Sequence, residues 1–462
     1  MPELIYPTLD VFLYQLRNGL GDSDTQIQEN HEEFWKNIPN LKIELEKESA
    51  ANNPEYIKLL DLLEPAEQQN LNIKFNSRLF QKAVAPYKLE GYYYPVRFDD
   101  TYALRFDCSI DDKINPTPVS CFQTLAQEAA NKTGNIGKTW MISGSLPLDC
   151  QDDIKALAQA AGKALIPGDY AELETGKFLG ASVFEMWKSP QKWENVETEN
   201  THVVIFLFPN LQTMKKAAGF YGDWLGLFYA RNKILWEYAY SQQITKTLKA
   251  EFQKITEVIN KFKQLYPSDS NSKKSGNQLS ELQEILSKSI SILSEYITKI
   301  SYLEILISAI ETNLKAYDKY YENIVIKAKK LQQEETFIGD TNLEFLTQFS
   351  QLARNKYKIQ IEQDKTSLSA GIRIIEDLIN TIRGIVEIEQ AKRDRNLEKT
   401  IGIAGVGLAT SQIASAAILA QLPDKPTPPS YKIYVFVVSL LIGAIASVLA
   451  YKAYKLLQKP PH

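Results

Sequence analysis

Thr400 to Pro423 reads TIGIAGVGLATSQIASAAILAQLP, and Ile433 to Tyr451 reads IYVFVVSLLIGAIASVLAY. Neither stretch carries a charge, and each reaches the roughly 20 residues that a helix needs to cross a ~30 Å hydrocarbon layer. Between them lies DKPTPPS, whose three prolines stop a helix. The reading is a C-terminal two-helix transmembrane hairpin, with helices over 400–423 and 433–455. Lys392, Arg393, Arg395 and Lys399 precede the first span, Lys452, Lys455 and Lys459 end the second, and the loop holds only Lys425 and Lys432. The positive-inside rule then puts both termini in the cytoplasm and makes the lipid bilayer a partner, in a bacterial inner membrane. The Lys392–Lys399 cluster would meet lipid headgroups or ring a pore mouth.

The two spans differ in kind. Ser439, Gly443 and Ser447 give the second a ridge of small residues suited to transmembrane helix packing. Gly, Ala, Ser, Thr and Gln dominate the first, which suits either tight packing or the lining of a water-filled path.

Upstream, a helical pattern runs from about 342 to 421, on the order of 120 Å at ~1.5 Å per residue. Leu368, Ile372, Ile375, Ile379, Ile382 and Val386 recur in steps of three and four, a seam that wants partner helices from its own subunit or from copies of itself. The seam turns polar through Glu389 and Arg393, and the candidates for lining an axis are Asn396, Thr400, Gly407, Ser411, Gln412 and Ser415. Asp340 or Thr341 could cap the start of this helix. Before it, 210–340 reads as a long antiparallel helical hairpin, broken by the polar linker 267–277 and carrying a stripe from Leu286 to Leu314. Phe220, Trp224 and Phe228, four apart, form an aromatic face expected to pack on the N-terminal region or to line a ligand pocket near Arg231.

Residues 1–209 mix strand signals (92–98, 102–110, 138–146, 181–187, 202–208) with helical ones (25–50, 55–72, 118–132, 151–165). Asp149, Asp152 or Asp153 could cap the last of these. The fold class is thus an α+β cytosolic domain over 1–209, a helical coiled-coil stalk (210–340, then a stalk helix over 341–399) and the transmembrane hairpin.

Candidates for chemistry are sparse. Gly134 to Thr139 (GNIGKT) is two residues short of a phosphate loop and leads into a strand, so a turn is expected. His31 and His202 lie too far apart to suggest a metal site or a triad, and His202 reads as structural. Asp99, Asp100, Asp107, Asp111 and Asp112 could hold a cation, though turn aspartates explain them as well. Three scattered cysteines, Cys108, Cys121 and Cys150, argue against a disulfide framework or a zinc site. A net charge of −4 offers no basic surplus for nucleic acid. The N-terminus, with an early acid and two prolines, does not read as a signal peptide. No nucleophile–base constellation points to an enzyme, and no motif names a cofactor, a metal or an ion.

The order of these parts resembles the CorA family of divalent-cation channels: a cytosolic α/β domain (1–209), long antiparallel helices (210–336), a stalk helix entering the first span (342–421) and a second span with a basic tail (433–459). The resemblance covers the whole chain as architecture. At the outer end of the first span, where CorA proteins carry Gly-Met-Asn, this chain has Ala420-Gln421-Leu422-Pro423. The resemblance implies a homopentamer conducting an ion under control of a cytosolic sensor. The alternative is a non-conducting, membrane-anchored coiled-coil scaffold or a ligand-responsive effector.

Overall fold

A computed structural model describes residues 2–19, 21–39, 73–74, 78–148, 153–168, 173–266 and 277–390, together with 437–439, 441–443, 445–446, 448–449 and 452. Its contacts divide the chain into two units, one made of 1–243 and 309–360, the other of 244–308 and 361–462.

The first unit is built on a ten-stranded mixed sheet. Its strands are β1 (Glu3–Leu16), β2 (Ile73–Lys74), β3 (Arg78–Val84), β4 (Tyr87–Phe98), β5 (Thr101–Ile110), β6 (Thr117–Pro118), β7 (Gly137–Ser145), β8 (Glu174–Phe178), β9 (Ala181–Lys188) and β10 (Thr201–Phe208). The order is β2-β4-β5-β1-β7-β10-β9-β8, with β3 on β4 and β6 on β1. Among the described residues only β7 and β10 pair in parallel, which the long connection between them allows and a tight hairpin would not. The helices are α1 (Asp24–Lys36), α2 (Cys121–Ala129), α3 (Ile154–Leu165), α4 (Leu211–Ala217), α5 (Tyr221–Leu265), α6 (Asn277–Glu334), α7 (Phe345–Leu352) and α8 (Ile359–Gln390). Asp153 does cap α3, accepting from Lys155 N at 3.0 Å.

Both faces of the sheet are covered, which is why its central strands read as continuous apolar runs. On one face Leu9, Val11, Phe106, Ile142 and Ile205 meet Phe122 and Leu125 of α2 and Leu157 and Ala161 of α3. The other face receives the start of α5: Phe228 packs on Phe12 at 5.1 Å and Trp224 on Phe206 at 5.3 Å between ring centroids. Tyr14 donates to the Leu225 carbonyl at 2.8 Å. The aromatic face of 220, 224 and 228 is therefore a core face.

In the second unit the seam of α8 is buried at Ile375, Leu378, Ile379, Ile382 and Val386. Its partner is α6 of the same chain. Tyr296 donates to the Leu368 carbonyl at 2.8 Å, and a Cβ added at Gly371 would meet the Tyr296 hydroxyl oxygen at 2.7 Å, so the small residue permits the close approach. Lys299 of α6 is bound to Glu251 of α5.

Two expectations are corrected here. Asp340 and Thr341 do not cap a helix: Thr341 Oγ1 accepts from Leu179 N at 2.9 Å, and Asp340 pairs with Lys177. The helix begins instead after Glu344, without a side-chain cap, and a π-helical turn (Ala353–Lys358) interrupts it before α8. The larger correction concerns the membrane. Among the described residues no helix is long and apolar enough to cross a bilayer, because the long helices α5, α6 and α8 carry Lys, Arg, Glu or Asp throughout. The C-terminal two-helix transmembrane hairpin, the integral inner-membrane location and the orientation with both termini cytoplasmic are therefore not supported. The span expected over 400–423 lies outside the described residues, and the one over 433–455 is described only at the positions given above.

Candidate functional site

Strand β1 is not smooth. Its register against β7 shifts between Ile5 and Thr8, and Tyr6 holds φ at +52°, a left-handed value that costs a non-glycine residue of order 1–3 kcal/mol. Pro7, which has no N–H to donate, sits in the bulge, where a strand tolerates it. The bulge places the Tyr6 side chain in a cleft of about 700 Å³ between β1, β3, β4, β5 and helix α4.

At the floor of this cleft lies Arg105, only 6% exposed. Its Nε donates to Asp10 Oδ1 at 2.8 Å and its Nη2 to Asp107 Oδ2 at 3.2 Å. The guanidinium carbon stands 3.1 Å from the centroid of the Tyr221 ring and 4.9 Å from that of Tyr92. Of the five N–H donors of an arginine, two are thus engaged and three remain for the cavity that it lines. Thr8 and Ser109 exchange a hydrogen bond at 2.8 Å across β1 and β5. Glu90 accepts from the Tyr6 hydroxyl at 2.7 Å and from Lys113 Nζ at 2.8 Å.

The electrostatics follow from burial. Asp107 is pushed well above the usual carboxylate range by desolvation and then by the negative charge of Asp10, against the pull of Arg105. Burial also favours the acid form of Glu90, but the hydrogen bonds from Lys113 and Tyr6 outweigh it and hold that carboxyl low. Desolvation raises the phenols of Tyr6, Tyr92 and Tyr221, which stay neutral hydrogen-bonding groups.

A second cavity, of about 710 Å³, adjoins the first and shares Leu79, Tyr92, Arg105 and Tyr221 with it. Tyr94, Val96 and Phe98 of β4 lie on one side, and Gly219 and Gly222 on the other. A Cβ at either glycine would meet nothing within 4 Å.

Arg231, where a ligand pocket was the alternative to a core face, lies in a closed network. Arg231 is 1% exposed, with its guanidinium between Trp187 and Phe349 at 4.6 and 4.5 Å. Its side-chain nitrogens lack hydrogen-bond partners, and the nearest Glu185 oxygen is 3.8 Å away. His202 joins Thr139 (2.9 Å) to Glu185 (2.7 Å), and Asn232 donates to Thr139 at 3.0 Å. Burial and the Arg231 charge lower His202 to about 4. Although burial opposes ionisation of Glu185, the His202 bond and the Arg231 charge keep its carboxyl low. His202 is therefore neutral, with its Nε2 proton directed at the carboxylate.

The five clustered aspartates are dispersed. Asp99 and Asp100 form the β4–β5 turn, Asp112 accepts the Ile114 and Asn115 amides in another turn, and only Asp107 reaches the cleft. Among the described residues no group of acidic, His or Cys side chains could hold a metal. The GNIGKT segment is a turn: Asn135 Oδ1 accepts from Leu16 N at 2.7 Å, and β7 begins at Gly137. The expected axis-lining residues Asn396, Thr400, Gly407, Ser411, Gln412 and Ser415 lie outside the described residues, as do Lys392, Arg393, Arg395, Lys399 and Ser447. Ser439 and Gly443 are described, and both are buried. Sequence reading missed Asp10, Arg105 and Tyr6. Asp10 was the available signal, a lone acid inside the apolar run LDVFLYQL.

Comparison with family models, with curated proteins and with solved structures found no match for the chain.

Proposed function

We propose that the unit formed by 1–243 and 309–360 is a receptor for a small organic ligand, and that the chain is a ligand-responsive helical effector. The Arg105 cleft carries this reading: a buried cation with donors to spare, in a cavity within the range that metabolite-sized ligands fill. The cleft also touches an output. Tyr221, whose ring lies against Arg105, is the first residue of the 45-residue helix α5. A ligand that competes for Arg105 changes what that ring, and so the start of the helix, packs upon.

Catalysis fits the cleft less well than binding. The hydroxyls of Thr8 and Ser109 bond to each other, and neither His31 nor His202 lines the cavity to activate them.

The test is a thermal-shift screen of a metabolite set on the full chain, repeated with Tyr92→Ala and Gly222→Leu. A compound that raises the melting temperature of the wild type, and does so less in both variants, supports the receptor. If no compound shifts the wild type, or the variants respond identically, the reading is wrong.

A further inference from the structure

Across the β1–β5 ladder Asp10 stands directly opposite Asp107, two positions from the Phe12–Arg105 pair. Like charges at directly opposed, buried positions repel, and a single guanidinium serves both carboxyls. Asp10 Oδ2 is buried and has no hydrogen-bond partner, although the Asp107 carboxyl lies within hydrogen-bonding reach of Asp10. Two carboxylates facing each other are both acceptors. One proton on Asp107 removes the repulsion and supplies the donor that Asp10 lacks.

With that proton in place the charges can be counted. Asp10 balances Arg105, Glu90 balances Lys113, and Lys215 at the rim adds one positive charge with no carboxylate partner among the described residues. Of the aromatic rings lining the cleft, those of Tyr92 and Tyr221 already carry Arg105 and that of Tyr6 carries Lys113, while Phe80 is stacked on Phe106. The cleft is donor-rich and short of one negative charge. Beyond the Arg105 floor, the adjoining cavity offers Val96, Phe98, Leu225 and the open side of Gly222.

We propose that the ligand is an organic oxyanion, a carboxylate or a phosphate ester, whose charged group sits on the free edge of Arg105 and whose apolar body extends along β4 beneath Gly222, with Asp107 holding its proton towards Asp10 while it is bound. This rests on the receptor reading above. Asp107 faces Asp10 and Tyr6 from β1, Arg105 on its own strand, Glu90 and Tyr92 from β4, and Tyr221 from α5. Loss of its proton sets a second negative charge beside the bound anion. Affinity then falls about tenfold per pH unit once Asp107 ionises in the empty cleft.

Titration calorimetry on the full chain with inorganic phosphate, phenyl phosphate and benzoate tests this, the two aromatic probes separating phosphate from carboxylate recognition. At least one aromatic anion should bind more tightly than inorganic phosphate, and Gly222→Leu should erase that advantage. Lys215→Glu, on an exposed residue, should weaken binding roughly fivefold to tenfold at low salt, fading as salt is added. Asp107→Asn should flatten the pH profile. If Asp107→Asn does not fold, proton uptake by the wild type, read from the buffer dependence of the binding heat, replaces it. Neutral or cationic compounds binding in a manner blocked by Gly222→Leu, with no anion doing so, overturn the oxyanion proposal and leave the receptor standing. Absence of binding by any class of compound overturns both.

Discussion

Glu237 of α5 is buried, accepts from Asn313 Nδ2 at 2.9 Å and has a second oxygen with no partner. Desolvation, against the opposing charge of Lys233, raises its carboxyl from an ordinary value of 4.5 to about 8. Below pH 4.5 the group is protonated in both folded and unfolded chains and costs nothing. Between 4.5 and 8 the unfolded chain releases the proton while the folded chain keeps it, so stability declines by about 1.4 kcal/mol per pH unit. Above pH 8 the loss is complete, on the order of 5 kcal/mol. Glu237→Gln keeps the shape and the acceptor for Asn313 but does not titrate. The difference in unfolding free energy between variant and wild type should therefore grow in the variant's favour from pH 5 to pH 8 and then level off. Urea unfolding followed by tryptophan fluorescence is the assay, because all six tryptophans fall within residues 1–243 and report the unit that contains Glu237. Parallel stability curves for the two proteins across pH 5 to 9 would refute the reasoning.

His202 acts in the opposite direction. Its folded value of about 4 lies below 6.5, so stability present above pH 6.5 should be lost as the pH falls towards 4, by about 3 kcal/mol, and His202→Gln should lose less over that window in the same fluorescence assay. Arg231→Ala leaves Glu185 charged and buried and should cost about 3–5 kcal/mol in urea unfolding. A methyl group at Gly91 would lie 2.0 Å from the Asp107 carbonyl oxygen, so Gly91→Ala should force β4 off β5 and lower the melting temperature by several degrees or more. Tyr296→Phe removes the donor to the Leu368 carbonyl in the second unit and should cost about 1 kcal/mol, seen as faster amide exchange in α8 with no change in tryptophan emission.

Local chemistry was readable from the chain alone. The strand runs at 92–98, 102–110 and 202–208, the aspartate cap at 153, the aromatic face of 220–228 and the seam of 368–386 each depend on residues a few positions apart, and those spacings survive folding. What depended on distant partners was not readable. Strand β1, with Pro2 just before it and Pro7, Glu3 and Asp10 within it, gave weak strand signals, yet it lies in the middle of the sheet, between β5 and β7. Asp10 and Arg105 are 95 positions apart, and only the β1–β5 register brings them together. A one-residue slip between the two strands would have put them on opposite faces. Apolar composition near the C-terminus pointed to a membrane because hydropathy is a local property. Whether such a run becomes a spanning helix is a property of the folded chain, and no described helix has that character. The seam of α8 needed a partner on any reading, and choosing α6 of the same chain over a second copy took tertiary contacts. Sequence spacing determined which faces are apolar; the tertiary structure decided which faces meet, because register and long-range pairing are set by the whole core at once.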